Sequence, residues 1–224
     1  MGLSLLTRYM KNCRLLIADD HRVISYGIQL ILKNLSSFFT FEFDEAVNGN
    51  EALKLVKANN YDLIILDINM PDTDLFSLVG DIIAHKQNNR ILVYSTNSEL
   101  LYAKRLYKLG VMGYLSKNSP ASEVNNAITS MLDGYTYVSN TMKELLLHDV
   151  KFNNKNTDNP FDSLTNREIQ VAQGFINGEN INSITNRLNL HPSSVGTYKN
   201  RIFQKLQISS LFELSKLAEI NGFT

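Results

Sequence analysis

Between Arg14 and Gly134 the chain alternates short, continuous apolar runs with amphipathic stretches. Residues 14–18 (Arg-Leu-Leu-Ile-Ala), 41–46, 62–66 (Asp-Leu-Ile-Ile-Leu), 91–95 (Ile-Leu-Val-Tyr-Ser) and 113–115 read as strands. Helical patterns fill the intervals, near 22–35, 49–59, 75–87, 99–109 and 120–133. A strand that is apolar throughout must be covered on both faces. Helices packed on either side of a parallel sheet provide that cover. The pattern therefore predicts an α/β domain, a five-stranded doubly wound parallel sheet with strand order 2-1-3-4-5.

The alternation stops after Gly134. A linker of residues 136–160 follows, with a further helix expected over 139–150. The stretch from Lys151 to Pro160 is rich in asparagine and almost free of apolar side chains, the composition of connecting chain. From Phe161 to Thr224 only helical periodicity remains, which predicts an all-α domain of four helices. Thr165 and Glu168 form a capping box ahead of Ile169, Ala172 and Ile176, and Ser210 and Glu213 form another. Residues 181–188 and 192–206 are joined by Asn189-Leu190-His191, which is helix-turn-helix spacing, and Pro192 suits a first helical position. At the other end, residues 1–12 read as an extension to a first domain of 13–135, with Met10 as an alternative natural start.

Composition excludes several classes. The 22 basic and 22 acidic side chains balance, so any nucleic-acid surface must be local. A single cysteine, Cys13, allows no internal disulfide and suits a reducing compartment. No apolar run approaches the roughly 20 residues that span a bilayer. The expectation is a cytoplasmic protein with no membrane partner.

In an open parallel sheet, chemistry collects beyond the carboxyl ends of the strands. Asp19 and Asp20 follow the first strand, Asp67 and Ser95 end the third and fourth, and Lys117 follows the fifth. One aspartate at a strand end is commonly a turn or cap residue. Five such residues at the ends of four strands on one rim make a site. Three carboxylates repel unless a cation neutralises them. Magnesium suits a few carboxylates completed by waters and a phosphate oxygen. Lys117 offers a positive charge to a phosphoryl group, and Ser95 a hydroxyl donor. His21 reads as a loop or helix-start residue. His85, His148 and His191 have no metal-ligand spacing with Cys13.

On the helix from Pro192, Val195, Ile202 and Leu206 mark an apolar face, with Ser193, Thr197, Asn200, Arg201 and Gln204 opposite. No acidic residue lies between Pro192 and Leu206. Such a face offers amides, hydroxyls and a guanidinium to base edges, with cationic residues left for phosphates. An ordinary amphipathic helix has a similar face. The net charge of +1 over 161–224, from six basic and five acidic residues, does not separate the two.

The segments Ile17-Ala-Asp-Asp-His21, Leu66-Asp-Ile-Asn-Met-Pro71 and Gly113-Tyr-Leu-Ser-Lys117 resemble the signatures of response-regulator receivers. The resemblance implies that Asp67 accepts a phosphoryl group from a sensor histidine kinase. It implies Mg2+ held by Asp20, Asp67 and the backbone carbonyl of Asn69, with Asp19 acting through water. Lys117 would pair with the phosphoryl group, Ser95 would move toward it, and Tyr114 would turn inward. Leu164-Thr-Asn-Arg-Glu168, Gly178, Ile184, Leu188 and the run Val195–Leu206 are similar to the LuxR-type helix-turn-helix of NarL/FixJ regulators. That resemblance implies a transcriptional regulator and not an enzyme. It implies contacts to double-stranded DNA from Ser193, Thr197, Tyr198, Lys199, Asn200, Arg201 and Lys205. A homodimer when active and RNA polymerase as a further partner follow from the same resemblance. Four residues depart from the family: Leu75 for a usual glycine, Thr96 for a smaller residue, His191 for serine, and Gly196 for a longer side chain. Three other readings stay open on the residues alone. They are a DNA-binding regulator independent of phosphorylation, a carboxylate-metal phosphatase, and a pure interaction adaptor.

Overall fold

The computed structural model describes residues 11–35, 38–97, 99–140, 142–144, 159–221 and 223. The chain divides into two compact units, Met1–Asn140 and Thr141–Thr224. In the first, strands β1 (Lys11–Ala18), β2 (Phe39–Ala46), β3 (Leu63–Leu66), β4 (Ile91–Ser95) and β5 (Gly113–Ser116) alternate with helices α1 (Arg22–Leu32), α2 (Gly49–Ala58), α3 (Leu75–His85), α4 (Glu99–Leu109) and α5 (Ala121–Leu132). All strand pairings are parallel, in the order β2-β1-β3-β4-β5 that the apolar runs predict.

The pleat sorts β1 between two cores. Leu15 and Ile17 join Ile28 and Leu32 of α1 and Val124, Ile128 and Met131 of α5. Leu16 and Ala18 point to the opposite face, also fully buried. Every residue of β3 is buried, as a central strand of a covered sheet requires.

One boundary differs from the expected one. Lys11 and Asn12 belong to β1 and not to an extension, since β1 pairs with β2 from Lys11 onward and Lys11 N–H donates to Phe38 O (3.1 Å). Both are exposed polar residues, so hydrophobic patterning carries no sign of them. Residues 1–10, Met10 included, lie outside the described residues. The helix expected over 139–150 is helical at Asn140 and at 142–144, and the rest of it lies outside the described residues, as does 151–158. Among the described residues no helix is long and apolar enough to cross a membrane.

The second unit contains α6 (Asn166–Ile176), α7 (Ile181–Leu188), α8 (Pro192–Leu206) and α9 (Leu211–Ile220). The capping box at Thr165 and Glu168 is formed, with both reciprocal bonds in place. Ser210 accepts from Glu213 N–H at the start of α9. The turn between α7 and α8 pivots on Asn189, at φ 50° and ψ 50°. Asparagine is among the few non-glycine residues that tolerate this left-handed conformation. The rings of Phe161, ahead of α6, and Phe223, after α9, stack at 4.0 Å.

Helices α6 and α7 meet at Gly174. A Cβ there would lie 2.7 Å from both Ile184 Cγ1 and Arg187 Nη2. Overpacking a site this tight costs about 1–3 kcal/mol. Gly174→Val is therefore expected to lower the thermal midpoint of the second unit, while Gly196→Ala, where a Cβ meets nothing within 4 Å, raises or preserves it. Calorimetry of the two variants checks the contrast.

Candidate functional site

The register of the sheet assembles the site. Ala18 pairs with Leu66, which sets Asp19 beside Asp67 at neighbouring strand ends, and Asp67 N–H donates to Ala18 O (2.9 Å). Ser95 pairs with Ser116, and Lys117 N–H donates to Ser95 O (2.9 Å). The Lys117 ammonium then reaches back to Asp19 Oδ2 (2.6 Å) and Asp67 Oδ2 (3.1 Å). Both aspartate side chains are 3% exposed and the lysine 9%. Burial pulls the Lys117 pKa down, but the Asp19 hydrogen bond and the charges of Asp67 and Asp19 outweigh it and hold the ammonium above its ordinary value. The remaining oxygens are used locally. Asp67 Oδ1 accepts from Ile68 N–H (2.7 Å), and Asp19 Oδ1 from His21 N–H (2.9 Å).

Asp20 lies outside this buried pair, exposed, with His21 Nδ1 2.8 Å from its Oδ1. Potential ligand atoms of Asp19, Asp20, His21 and Asp67 all lie within 4.8 Å of one another. Three carboxylates against one ammonium leave net negative charge on hard oxygen donors. That donor set fits a small divalent cation such as Mg2+. Asn69 lies in the loop after β3, partly buried.

Ser95 is fully buried. Tyr114 is 1% exposed and points inward, its hydroxyl donating to Asn97 O (2.9 Å). Burial pushes the Tyr114 phenol well above its ordinary pKa. Leu75 is a buried first residue of α3, behind an Asp74 cap, and the left-handed residue of that turn is Asp72 (φ 50°). No glycine is needed at Leu75. Thr96 is exposed at the rim.

Sequence reasoning missed Asn97. Its side-chain oxygen accepts from Asn69 Nδ2 (2.9 Å), and its Nδ2 lies 3.2 Å from the Tyr102 hydroxyl. Its N–H donates to Ser95 Oγ (3.3 Å), and its carbonyl receives Tyr114. One residue thus joins the loop after β3, the end of β4, α4 and β5. In sequence it is one more loop asparagine, and nothing local distinguishes it.

In the second unit, Ser193, Thr197, Asn200, Arg201 and Gln204 form one exposed face of α8, and Gly196 lies on it with open space around it. Tyr198 is partly buried. Two of the expected cationic contacts are engaged inside the unit. Lys199 Nζ sits over the rings of Phe203 (5.4 Å) and Phe175 (5.9 Å). Lys205 Nζ bonds Glu168 Oε2 (2.6 Å) and Ser163 O (3.2 Å), bracing α8 against α6. His191 does cap α8, its Nδ1 accepting from Ser193 N–H at a long 3.3 Å.

Residues 15–129 match the response regulator receiver domain, and residues 162–218 match the luxR family of bacterial regulatory proteins. The chain is a response regulator. It is 31% identical over 208 residues to response regulator UvrY of Escherichia coli O6:H1, covering 92% of this chain and 94% of that one. It is also 31% identical over 209 residues to response regulator GacA of Pseudomonas aeruginosa, covering 93% and 96%. Among solved structures, RcsB of Salmonella typhimurium shares the fold at a TM-score of 0.59 and 19% identity, over 95% of this chain and 100% of that chain. Another RcsB structure, bound to promoter rprA with phosphomimetic BeF3−, superposes at a TM-score of 0.58 and 19% identity, over 92% and 98%. The regulator therefore carries a receiver and a LuxR-type DNA-binding domain and belongs to the transcriptional response regulators.

Burial raises the pKa of Glu168, but the Lys205 bond and the Thr165 amide outweigh it and hold the carboxyl below its ordinary value. A depressed folded pKa stabilises the fold above the unfolded value of 4.5 and loses that contribution as pH falls through the folded one. The unfolding free energy of the second unit is expected to drop below about pH 4.5, and Glu168→Gln to flatten the drop. Denaturant titrations across pH 3 to 7 check this.

Proposed function

We propose that a sensor histidine kinase transfers a phosphoryl group to Asp67 and that this acylphosphate controls DNA binding by the second unit. The observation that carries the reading is the buried Asp67 carboxylate, held with Asp19 on one lysine at the strand ends. The Asp67 oxygen forms the new bond to phosphorus while the bond to the kinase's histidine nitrogen breaks. Asp20, Asp67 and the Asn69 carbonyl would hold Mg2+ and Asp19 would act through water. The ion supplies charge neutralisation for the incoming phosphoryl group. The chain's own residues do the rest. Lys117 exchanges part of its carboxylate pairing for the phosphoryl oxygens, and the Ser95 hydroxyl donates to one of them. Tyr114 occupies the space beside Ser95, so its packing reports where that hydroxyl lies.

For the second unit, the α8 face of Ser193, Thr197, Asn200 and Arg201 enters the major groove. Arg201 and Asn200 read base edges, and Ser193 and Thr197 contact the adjoining backbone or bases. An RcsB structure bound to promoter rprA, and another of two RcsB dimers bound to two parallel DNAs, support DNA as ligand and a homodimer as the bound form. Regulation of RNA polymerase at the bound promoter completes the proposed role.

Incubation with a small phosphodonor and Mg2+ is expected to label wild type and leave Asp67→Ala unlabelled. Equal labelling of the two removes Asp67 as the acceptor. On DNA, Arg201→Ala is expected to weaken binding about tenfold or more. Lys205→Met, by contrast, shows first as lost stability through the abandoned Glu168 carboxylate. Fluorescence anisotropy paired with thermal melts separates these two effects.

A further inference from the structure

The last residues of the receiver fold back along its own sheet edge. Tyr137 bridges Gly113 of β5 in parallel, and its N–H donates to Met112 O (2.8 Å). The Tyr107 hydroxyl of α4 donates to Tyr137 O (2.9 Å), and the Tyr137 hydroxyl donates to Glu123 Oε1 of α5 (2.6 Å). Gly113 permits this approach, since a Cβ there would lie 2.9 Å from Leu92 Cδ1 and Met131 Sδ and 3.4 Å from Tyr137 Cβ. Ser139 Oγ then donates to Glu99 Oε2 (2.6 Å). Asn140, the next residue, closes the first unit.

Glu99 is an unusual residue to fasten a strap. It opens α4, two positions after Asn97. Its other oxygen, Oε1, is buried with no hydrogen-bond partner among the described residues. Burial raises its pKa, the Ser139 bond opposes that, and the Glu123 carboxylate adds to the rise. A purely structural staple is better served by a neutral pair, because a half-satisfied buried carboxylate destabilises the fold. The Ser139 bond is therefore sensitive to where the start of α4 lies. A bond of 2.6 Å is lost after a displacement of about 1 Å.

Resting on the reading of Asp67 as phosphoryl acceptor, we propose that the Glu99–Ser139 hydrogen bond is a latch. It couples the turn between β4 and α4 to the segment that leads into the DNA-binding unit. The contacts behind it are contiguous. Asn69, in the loop after Asp67, bonds Asn97. Asn97 also holds Ser95, Tyr102 and Tyr114. Glu99 follows on the same turn and holds Ser139. A shift of Ser95 and Asn97 on phosphorylation moves the first turn of α4 and opens or re-forms the latch. Spatial contiguity proposes such a route, and only a coupling measurement establishes it.

The test uses full-length protein as wild type, Ser139→Ala, Glu99→Met, which leaves the serine hydroxyl no acceptor, the double variant, and Ser139→Thr, which keeps the hydroxyl. Each is measured with and without a small phosphodonor and Mg2+. Phosphoryl incorporation in the variants is expected to stay within about twofold of wild type, and the gain in DNA affinity on phosphorylation to shrink by about fivefold or more. The double variant is expected to match the single ones, because both remove the same bond, and Ser139→Thr is expected to restore the gain. Amide exchange over residues 135–140 should respond to phosphodonor in wild type and not in Ser139→Ala. With wild type labelled, an unchanged gain in both single variants overturns the latch alone. A double variant that adds the single effects also overturns it, as does a wild type whose DNA affinity ignores phosphorylation. With wild type unlabelled, the acceptor reading fails and the latch fails with it.

Discussion

The first unit's site depends on one buried ammonium. Asp19 and Asp67 are almost completely removed from water, and Lys117 lies between them. Two carboxylates in that position without a counter-charge are strongly destabilising, and losing one partner of a buried pair costs about 3–5 kcal/mol. The partly exposed pair of Arg14 and Asp44, whose side chains are 39% and 28% accessible, is by contrast worth about 1 kcal/mol, because water still screens it. The difference explains why Lys117 must sit where it does. On the proposed reading of Asp67 as phosphoryl acceptor, it also makes the site a charge sensor. A second anion arriving at Asp67 would compete for the same ammonium, so the lysine would not hold every partner as before. The switch would then begin as a redistribution of existing bonds.

Much of this was legible because a parallel sheet converts sequence order into spatial order by rule. The continuous apolar runs specified buried strands, and the strand order placed Asp19, Asp67, Ser95 and Lys117 on one rim. Information carried by backbone pairing was not legible. Lys11 and Asn12 are strand residues by hydrogen bonding to β2 and have no apolar signature. Tyr137 extends the edge through one bridge to Gly113, a contact too short for any periodicity to mark. Asn97 acts partly through its main-chain N–H and carbonyl, which every loop residue possesses.

The same limit applies to the cationic residues of α8. Sequence places Lys199, Arg201 and Lys205 together as candidates for DNA, since all three are basic and none has an acidic neighbour on the helix. The fold distributes them differently. Lys199 lies over two aromatic rings, and Lys205 satisfies Glu168, a carboxylate contributed by another helix. Arg201 is exposed on the hydroxyl and amide face. On the proposed DNA-binding reading, recognition would lean on hydrogen-bond readout more than on accumulated charge, in keeping with the near-neutral balance of the unit. A neutral face gives a smaller counterion contribution to affinity, so discrimination between sequences takes a larger share of the binding energy.

Support along α8 is uneven, and the unevenness has a direction. The C-terminal half is anchored by Ile202 and Leu206, both buried, and by the Lys205–Glu168 bond. The N-terminal half rests on Val195, a long cap bond from His191, and the favourable start at Pro192. It also contains Gly196, whose presence in a helix interior costs about 1 kcal/mol relative to alanine. Among the described residues nothing needs a glycine there, because a Cβ would meet no atom of them within 4 Å. On the proposed DNA-binding reading, a bare backbone at 196 would let α8 between Ser193 and Asn200 lie closer to a DNA groove than a long side chain there allows, and the short side chains of Ser193 and Thr197 would then reach it.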